Sequence, residues 1–280
     1  MSKVSIIIPC YNKELYVSEA IESALAQTFK DIEIVVINDG SSDNSAEVIK
    51  KYEDKIHFIN LYENEGVIKA RNLAIEKASG EYILPLDADD TIEPTYVEKA
   101  VKILDEDKDV DFVYSKVRFF GKINREYSLG KYSLDNFIFK NCICNSALFK
   151  KADFISVGKY KDYMKDGYED WDLWMSFIEK DLKPFKIEEV LLNYRQVEDN
   201  SRNKHCKNNL DLHRELIKHH LDLYLNNNKF LEKLFKKPKN PFLKLENNIS
   251  DLTRVIWVLL IFEIVQIVMF GLYIFMTKGL

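Results

Sequence analysis

The sequence predicts an α/β fold, a mainly parallel sheet flanked by helices, followed by a C-terminal helical extension. Over the first hundred residues, short apolar runs alternate with stretches of helical period in the order βαβαβαβ. The apolar runs are nearly continuous, as in strands buried on both faces of a parallel sheet. Each run ends in a cluster of polar and turn residues, which places those clusters at the carboxyl ends of the strands, where ligands of open α/β sheets bind.

Residues 4–8 form the first predicted strand. Residues 14–27 follow as a helix with apolar positions at 17, 20, 21, 24 and 25. The run 32–37 is almost wholly β-branched and predicts a strand. Residues 42–52 predict a helix capped by Ser42 or Asp43. A strand at 56–59, a helix at 66–78 and a strand at 82–86 complete the alternation, with Asn64 and Gly66 shaping the turn before that helix. Pro9 and Pro85 fall at strand ends, where they stop the ladder. Four clusters should converge on one rim: Pro9-Cys10-Tyr11-Asn12, 38–43, Asn64-Glu65-Gly66 and Asp87-Ala88-Asp89-Asp90. Beyond them a helix at 95–104 and a strand at 110–117 are predicted, then an irregular aromatic region. There 171–179 reads as helix and 185–194 as one or two short strands.

Composition bounds the function. Apolar residues make up 46% of the 280 and charged residues 30%, as in a globular protein, and the net charge of −5 does not fit a general nucleic-acid binder. Four cysteines do not form a disulfide framework and fit a reducing compartment. The set Cys142, Cys144, His205 and Cys206 has poor spacing for zinc. His213, His219 and His220 read as the polar face of a helix. Residues 255–276 are apolar except for Glu263 and Gln266 and are long enough to cross a bilayer. Seven Lys/Arg from Lys229 to Arg254, against Lys278 alone after the stretch, place the preceding domain on the cytoplasmic face of the membrane. A buried helix in an oligomer, with Glu263 and Gln266 paired, is the other reading. The expected organisation is a catalytic domain at 1–205, with halves 1–110 and 111–205, a helical extension and basic linker at 206–250, and the hydrophobic segment at 251–280.

The sequence contains neither G-x-G-x-x-G nor the Walker G-x-x-x-x-G-K, so a dehydrogenase or P-loop enzyme is excluded. Phosphate must be handled another way, and a divalent cation can bridge phosphates to carboxylates. GEYILPLDADD (80–90) aims Asp87, Asp89 and Asp90 off a strand end, where such a cation fits, although Asp90 also reads as the cap of the next helix.

VSIIIPCYN (4–12), IEIVVINDGSSD (32–43), NEGVIKARN (64–72), GEYILPLDADD (80–90) and GYEDWDLW (167–174) occur in that order. Together they resemble the motifs of inverting family 2 glycosyltransferases of the bacterial and archaeal surface-glycan type, over about residues 3–195. The resemblance implies a GT-A, Rossmann-like fold and transfer from a nucleotide sugar, with uridine the expected base. It implies Mn²⁺ or Mg²⁺ held by Asp89 with Asp87, and a nucleotide site including Pro9, Tyr11, Asp39 and Arg71. Asp170 is implied as general base and Glu169 as its partner at the acceptor. Arg195 is implied as a diphosphate contact, and the histidine some members carry nearby is missing from Gln196-Val197-Glu198. Trp171 and Trp174 can line a sugar site, although Trp174 at i+3 also suits a core. The expected acceptor is a cell-surface glycan or a lipid-linked sugar; a polyprenyl-phosphate acceptor and an inactive nucleotide-sugar-binding protein are the alternatives.

Overall fold

The computed structural model describes residues 3–197 and 209–235. The chain divides into two compact units, 1–230 and 231–280. The linker and apolar stretch at 236–280, and the segment with His205 and Cys206, lie outside the described residues. Among the described residues no helix is long and apolar enough to cross a membrane.

The first unit is the predicted α/β fold. Strands β1 (Val4–Cys10), β2 (Ile32–Asp39), β3 (His57–Leu61) and β4 (Tyr82–Pro85) are joined by helices α1 (Val17–Leu25), α2 (Ser45–Lys50) and α3 (Val67–Lys77). β1 pairs in parallel with both β2 and β4, and β3 joins β2 in parallel. Val4, Ile6, Ile7 and Ile8 are fully buried, so both faces of β1 are covered, which is why its sequence is a run rather than an alternation.

The second half is more antiparallel than the sequence pattern indicates. It contains β5 (Thr91–Ile92), α4 (Tyr96–Glu106), β6 (Phe112–Gly121), β7 (Arg125–Tyr127), α5 (Leu134–Phe137) and β8 (Leu148–Lys150). α6 (Lys151–Ser156), α7 (Glu169–Glu179) and β9 (Pro184–Gln196) complete it. β8 inserts antiparallel between β4 and β6, giving the order β3-β2-β1-β4-β8-β6-β9-β5, with β7 on β6. β9 is one 13-residue strand, parallel to β6 with register shifts around Lys116, and its far end pairs antiparallel with β5. An aromatic core joins this half: Trp174 stacks on Phe112 at 5.2 Å and meets Phe149 edge-on at 5.8 Å. Trp174 is therefore a core residue and lines no sugar site. The extension helices α8 (Asn209–His219) and α9 (Leu221–Leu225) belong to the first unit, and α10 (Asn228–Phe235) crosses the division between units.

Gly40 fixes where β2 hands the chain to the rim. Its φ is +62°, and a Cβ there would lie 2.2 Å from the Glu63 carbonyl carbon. The backbone at 40 and 63–64 thus meets in a way that only glycine permits. Gly40→Ala is expected to lower the unfolding free energy by about 1–3 kcal/mol in urea denaturation, because strain and clash act together.

Candidate active site

Three of the four polar clusters meet through hydrogen bonds that their own residues make, and Lys13, just after the first, reaches Asp89 of the fourth. Asn12, in the left-handed region at φ 52°, receives the Ser42 backbone N–H on its Oδ1 and donates its own N–H to the Ser41 hydroxyl. Asp43 accepts the N–H groups of Glu14 and Ser45, joining the β1 and β2 loops. Asp39, only 2% exposed, accepts from Asn64 Nδ2 and from the backbone N–H of Glu65 and Gly66. It thereby fastens the loop before α3, whose N-cap is Gly66 at φ 92°. Tyr11 is 46% exposed at the end of β1, while Pro9 sits within β1 opposite Ile37.

Arg71 on α3 joins the two halves of the site. It is fully buried, with Nη2 at 2.5 Å from Asp87 Oδ1 and Nη1 at 2.7 Å from Glu169 Oε1. Tyr160 presents its ring 5.5 Å from the guanidinium. One cation thus neutralises a carboxylate from each half, and removing it would strand both acids away from water. The other oxygen of Asp87 accepts from Asn145 Nδ2 at 2.9 Å, and Asn141 Nδ2 donates to Asp170 Oδ2 at 3.0 Å. Asn141 and Asn145 bracket the buried Cys142 and Cys144, and sequence reasoning missed both. Their signal was the N-C-I-C-N run, which drew attention to its thiols. Burial pushes the Cys142 and Cys144 thiols up to about 11 and about 12, so both stay protonated at neutral pH and neither is primed as a nucleophile.

Glu169 and Asp170 open α7 just after Tyr168, whose left-handed φ of 63° turns the chain into the helix. The N-terminal dipole of α7 favours carboxylates in this first turn. Asp170 borders a cavity of about 350 Å³ whose lining includes Asn141, Asn145, Phe119, Tyr127 and Tyr194. Phe119 and Tyr127 stack at 4.3 Å. Trp171 is 3% exposed, donates its indole N–H to Phe137 O and is not among the residues lining that cavity, so its place is structural.

Asp87, Asp89 and Asp90 present oxygens that all lie within 4.8 Å of one another. The donor set is all hard oxygen and already holds a cation, since Lys13 Nζ lies 2.6 Å from Asp89 Oδ2. These residues therefore fit Mg²⁺ or Mn²⁺, with Asp89 nearest to an open role because both oxygens of Asp87 carry a protein hydrogen bond. Asp90 does not cap a helix: Thr91 enters β5, and Asp90 Oδ1 instead accepts the backbone N–H of Arg195 at 2.8 Å. Arg195 is locked in place, stacked between Tyr16 at 4.8 Å and Phe120 at 4.2 Å. Its Nε donates to Asp89 O and its Nη2 pairs with Glu19.

The three histidines do not form a polar helix face. His213 meets Tyr168 and Trp171 edge-on at 5.1 and 5.2 Å, and His219 stacks on Tyr163 at 3.7 Å. His220, 2% exposed, places Nε2 3.0 Å from Asp172 and Nδ1 3.0 Å from Glu179. Tyr163 donates its hydroxyl to the same Asp172 oxygen. The extension therefore clasps the segment that carries Glu169 and Asp170. Burial on its own would lower the His220 pKa, but the hydrogen bond to Asp172 and the Glu179 carboxylate beside the ring outweigh it and push the pKa up to about 9.

The profile of glycosyl transferase family 2 matches residues 5–164. An uncharacterized glycosyltransferase of Methanocaldococcus jannaschii is 34% identical over 204 residues, 69% of this chain and 70% of that protein. In fold, the chain is similar to S. aureus TarS residues 1–349 in complex with UDP-GlcNAc, with a TM-score of 0.70 and 22% identity over 83% of this chain and 72% of that one. It is also similar to the mannosyltransferase PcManGT of Pyrobaculum calidifontis in complex with GDP-Man and Mn²⁺. There the TM-score is 0.58 and the identity 17%, over 81% of this chain and 71% of that one.

The His220 clasp has a pH signature. Its pKa rises on folding from an ordinary 6.5 to about 9, so its contribution is fully present below pH 6.5 and is lost as pH rises through 9. Unfolding free energy is expected to fall by up to about 3 kcal/mol across that window, as the size of the shift dictates. In His220→Gln that slope should flatten, as read by urea denaturation at a series of pH values.

Proposed function

Because the chain belongs to glycosyl transferase family 2, we propose that it transfers a sugar, with inversion, from a nucleotide diphosphate sugar to an acceptor hydroxyl. The observation that carries this reading is the Arg71 bridge. It holds Asp87 of the acidic cluster and Glu169, next to the candidate base, on one guanidinium although they are far apart in sequence.

In this reading the donor lies on the rim formed by the β1, β2 and α3 loops. Tyr11 is exposed there to stack on the base, and Asp39 accepts three N–H groups, which leaves capacity for the imide N–H of uracil. The TarS complex contains a uridine donor and the mannosyltransferase a guanosine one, so uridine rests on Asp39 rather than on fold. Asp89, with Asp87, would hold Mn²⁺ or Mg²⁺, which when bound would supply Lewis-acid stabilisation to the leaving diphosphate. The acceptor enters the cavity beside Asp170, where apolar ring faces and the Asn141 and Asn145 amides suit the C–H faces and hydroxyl edges of a sugar. Asp170 takes the proton as the acceptor oxygen attacks the anomeric carbon from the face opposite the diphosphate. Asn141 positions that carboxylate through its 3.0 Å hydrogen bond.

The apolar stretch 255–276 favours a lipid-linked or surface-glycan acceptor, worked on at the cytoplasmic face of the cell membrane, and a polyprenyl phosphate is the second reading. Detergent-free fractionation with and without residues 245–280 tests the membrane part, and the reading fails if truncation leaves membrane recovery unchanged.

The test of the chemistry is a panel of nucleotide sugars with Mn²⁺, followed by Asp170→Asn. The variant is expected to lose about 10²- to 10⁴-fold in kcat while donor binding, followed by calorimetry, stays near the wild-type value. Transfer at the wild-type rate by Asp170→Asn would remove the base assignment.

A further inference from the structure

We propose that Lys13 is a mobile internal counter-ion, which competes with the divalent cation for Asp89 and, once displaced, pairs with the diphosphate of the donor. The proposal rests on the metal-dependent reading above.

Three carboxylates this close repel one another, and each is moderated differently. Asp87 is held by Arg71 and Asn145, and Asp90 accepts the backbone N–H of Arg195. Asp89 is neutralised by the Lys13 ammonium at 2.6 Å, with both side chains partly buried, at 27% and 17% exposure. A divalent cation on the same carboxylate would sit about 2 Å from its oxygen. That leaves two positive centres within a few ångströms, and the ammonium must withdraw.

Lys13 is built to withdraw and Arg195 is not. Arg195 is fixed by two ring stacks, an ion pair with Glu19 and a hydrogen bond to Asp89 O. The backbone of Lys13 is equally fixed: its N–H donates to the Ser45 hydroxyl, and its carbonyl accepts from Tyr16 and Val17 at the start of α1. Its ammonium, however, has Asp89 as its one side-chain partner among the described residues, on a four-carbon stem with rotatable bonds that can turn about that anchor. The space for the swing is a cleft of about 570 Å³ whose lining includes Asn12, Lys13, Tyr16, Lys122, Arg195 and Gln196. Three cations border that cleft beside the acidic cluster, so it suits a diphosphate. Metal binding thus releases the lysine that the phosphates need, and each ligand strengthens the other.

The test is Lys13→Met in the full chain, with Lys13→Gln as a second variant and thermal melts confirming that both fold. Mn²⁺ binding without nucleotide, read by electron paramagnetic resonance, is expected to tighten about 10-fold, and UDP binding at saturating Mn²⁺ to weaken about 10-fold, within the usual span of coupling between sites. Lys13→Arg, which keeps the charge, should retain the weak Mn²⁺ binding of the wild type. Unchanged or weaker Mn²⁺ binding in both neutral variants would overturn the proposal while leaving the metal reading intact. Absence of Mn²⁺ binding by the wild type would overturn both.

Discussion

The buried guanidinium of Arg71 is the interaction on which the site depends. α3 delivers it from the first half of the fold, and it meets Asp87 at the end of β4 and Glu169 at the start of α7. Two carboxylates buried without it would pay a desolvation penalty of several kcal/mol each, so neither the β4 loop nor the first turn of α7 could hold its place. Around this cation the remaining polar contacts fall into order. Asn145 completes Asp87, Asn141 orients Asp170, and the extension holds α7 from its other side through His213, His219 and His220.

The site therefore combines fixed and adjustable charge. Arg71 and Arg195 are planar cations locked by several partners each, whereas Lys13 is a point charge on a flexible stem with its backbone pinned. Arg71 ties the two halves of the site together, and Arg195 borders the cleft. The movable one stands where incoming charge must be exchanged. Asp39 follows the same division, since its three hydrogen bonds to the 64–66 loop make it structural before any donor arrives.

The first half of the fold was legible because strands buried on both faces leave continuous apolar runs, and β1 to β4 fall within a few residues of their predicted bounds. β5 and β8 were not, since strands of two and three residues have no period to detect. β9 was partly hidden by the register shifts against β6, which break its alternation. Asp39, Asp87 and Asp89 stood out because they come at or just after strand ends, and Glu169 and Asp170 because their motif resembles one of the family's. Their partners did not: nothing local distinguishes Lys13 from other polar residues, the N-C-I-C-N run drew attention to its thiols rather than to Asn141 and Asn145, and only the folded chain brings all three to those acids. The same reason explains two corrections. Asp90 looked like a helix cap until β9 supplied the Arg195 N–H, and His220 looked exposed until α7 supplied Asp172 and Glu179.

The account makes one central claim, that Asp87 and Glu169 act as a unit through Arg71. A double-mutant cycle on unfolding free energy, using Asp87→Asn, Glu169→Gln and the double variant, tests it most directly. With a shared cation the effects should be non-additive, with a coupling of about 1–3 kcal/mol. Additivity within about 0.5 kcal/mol, as expected of independent sites, would contradict the account.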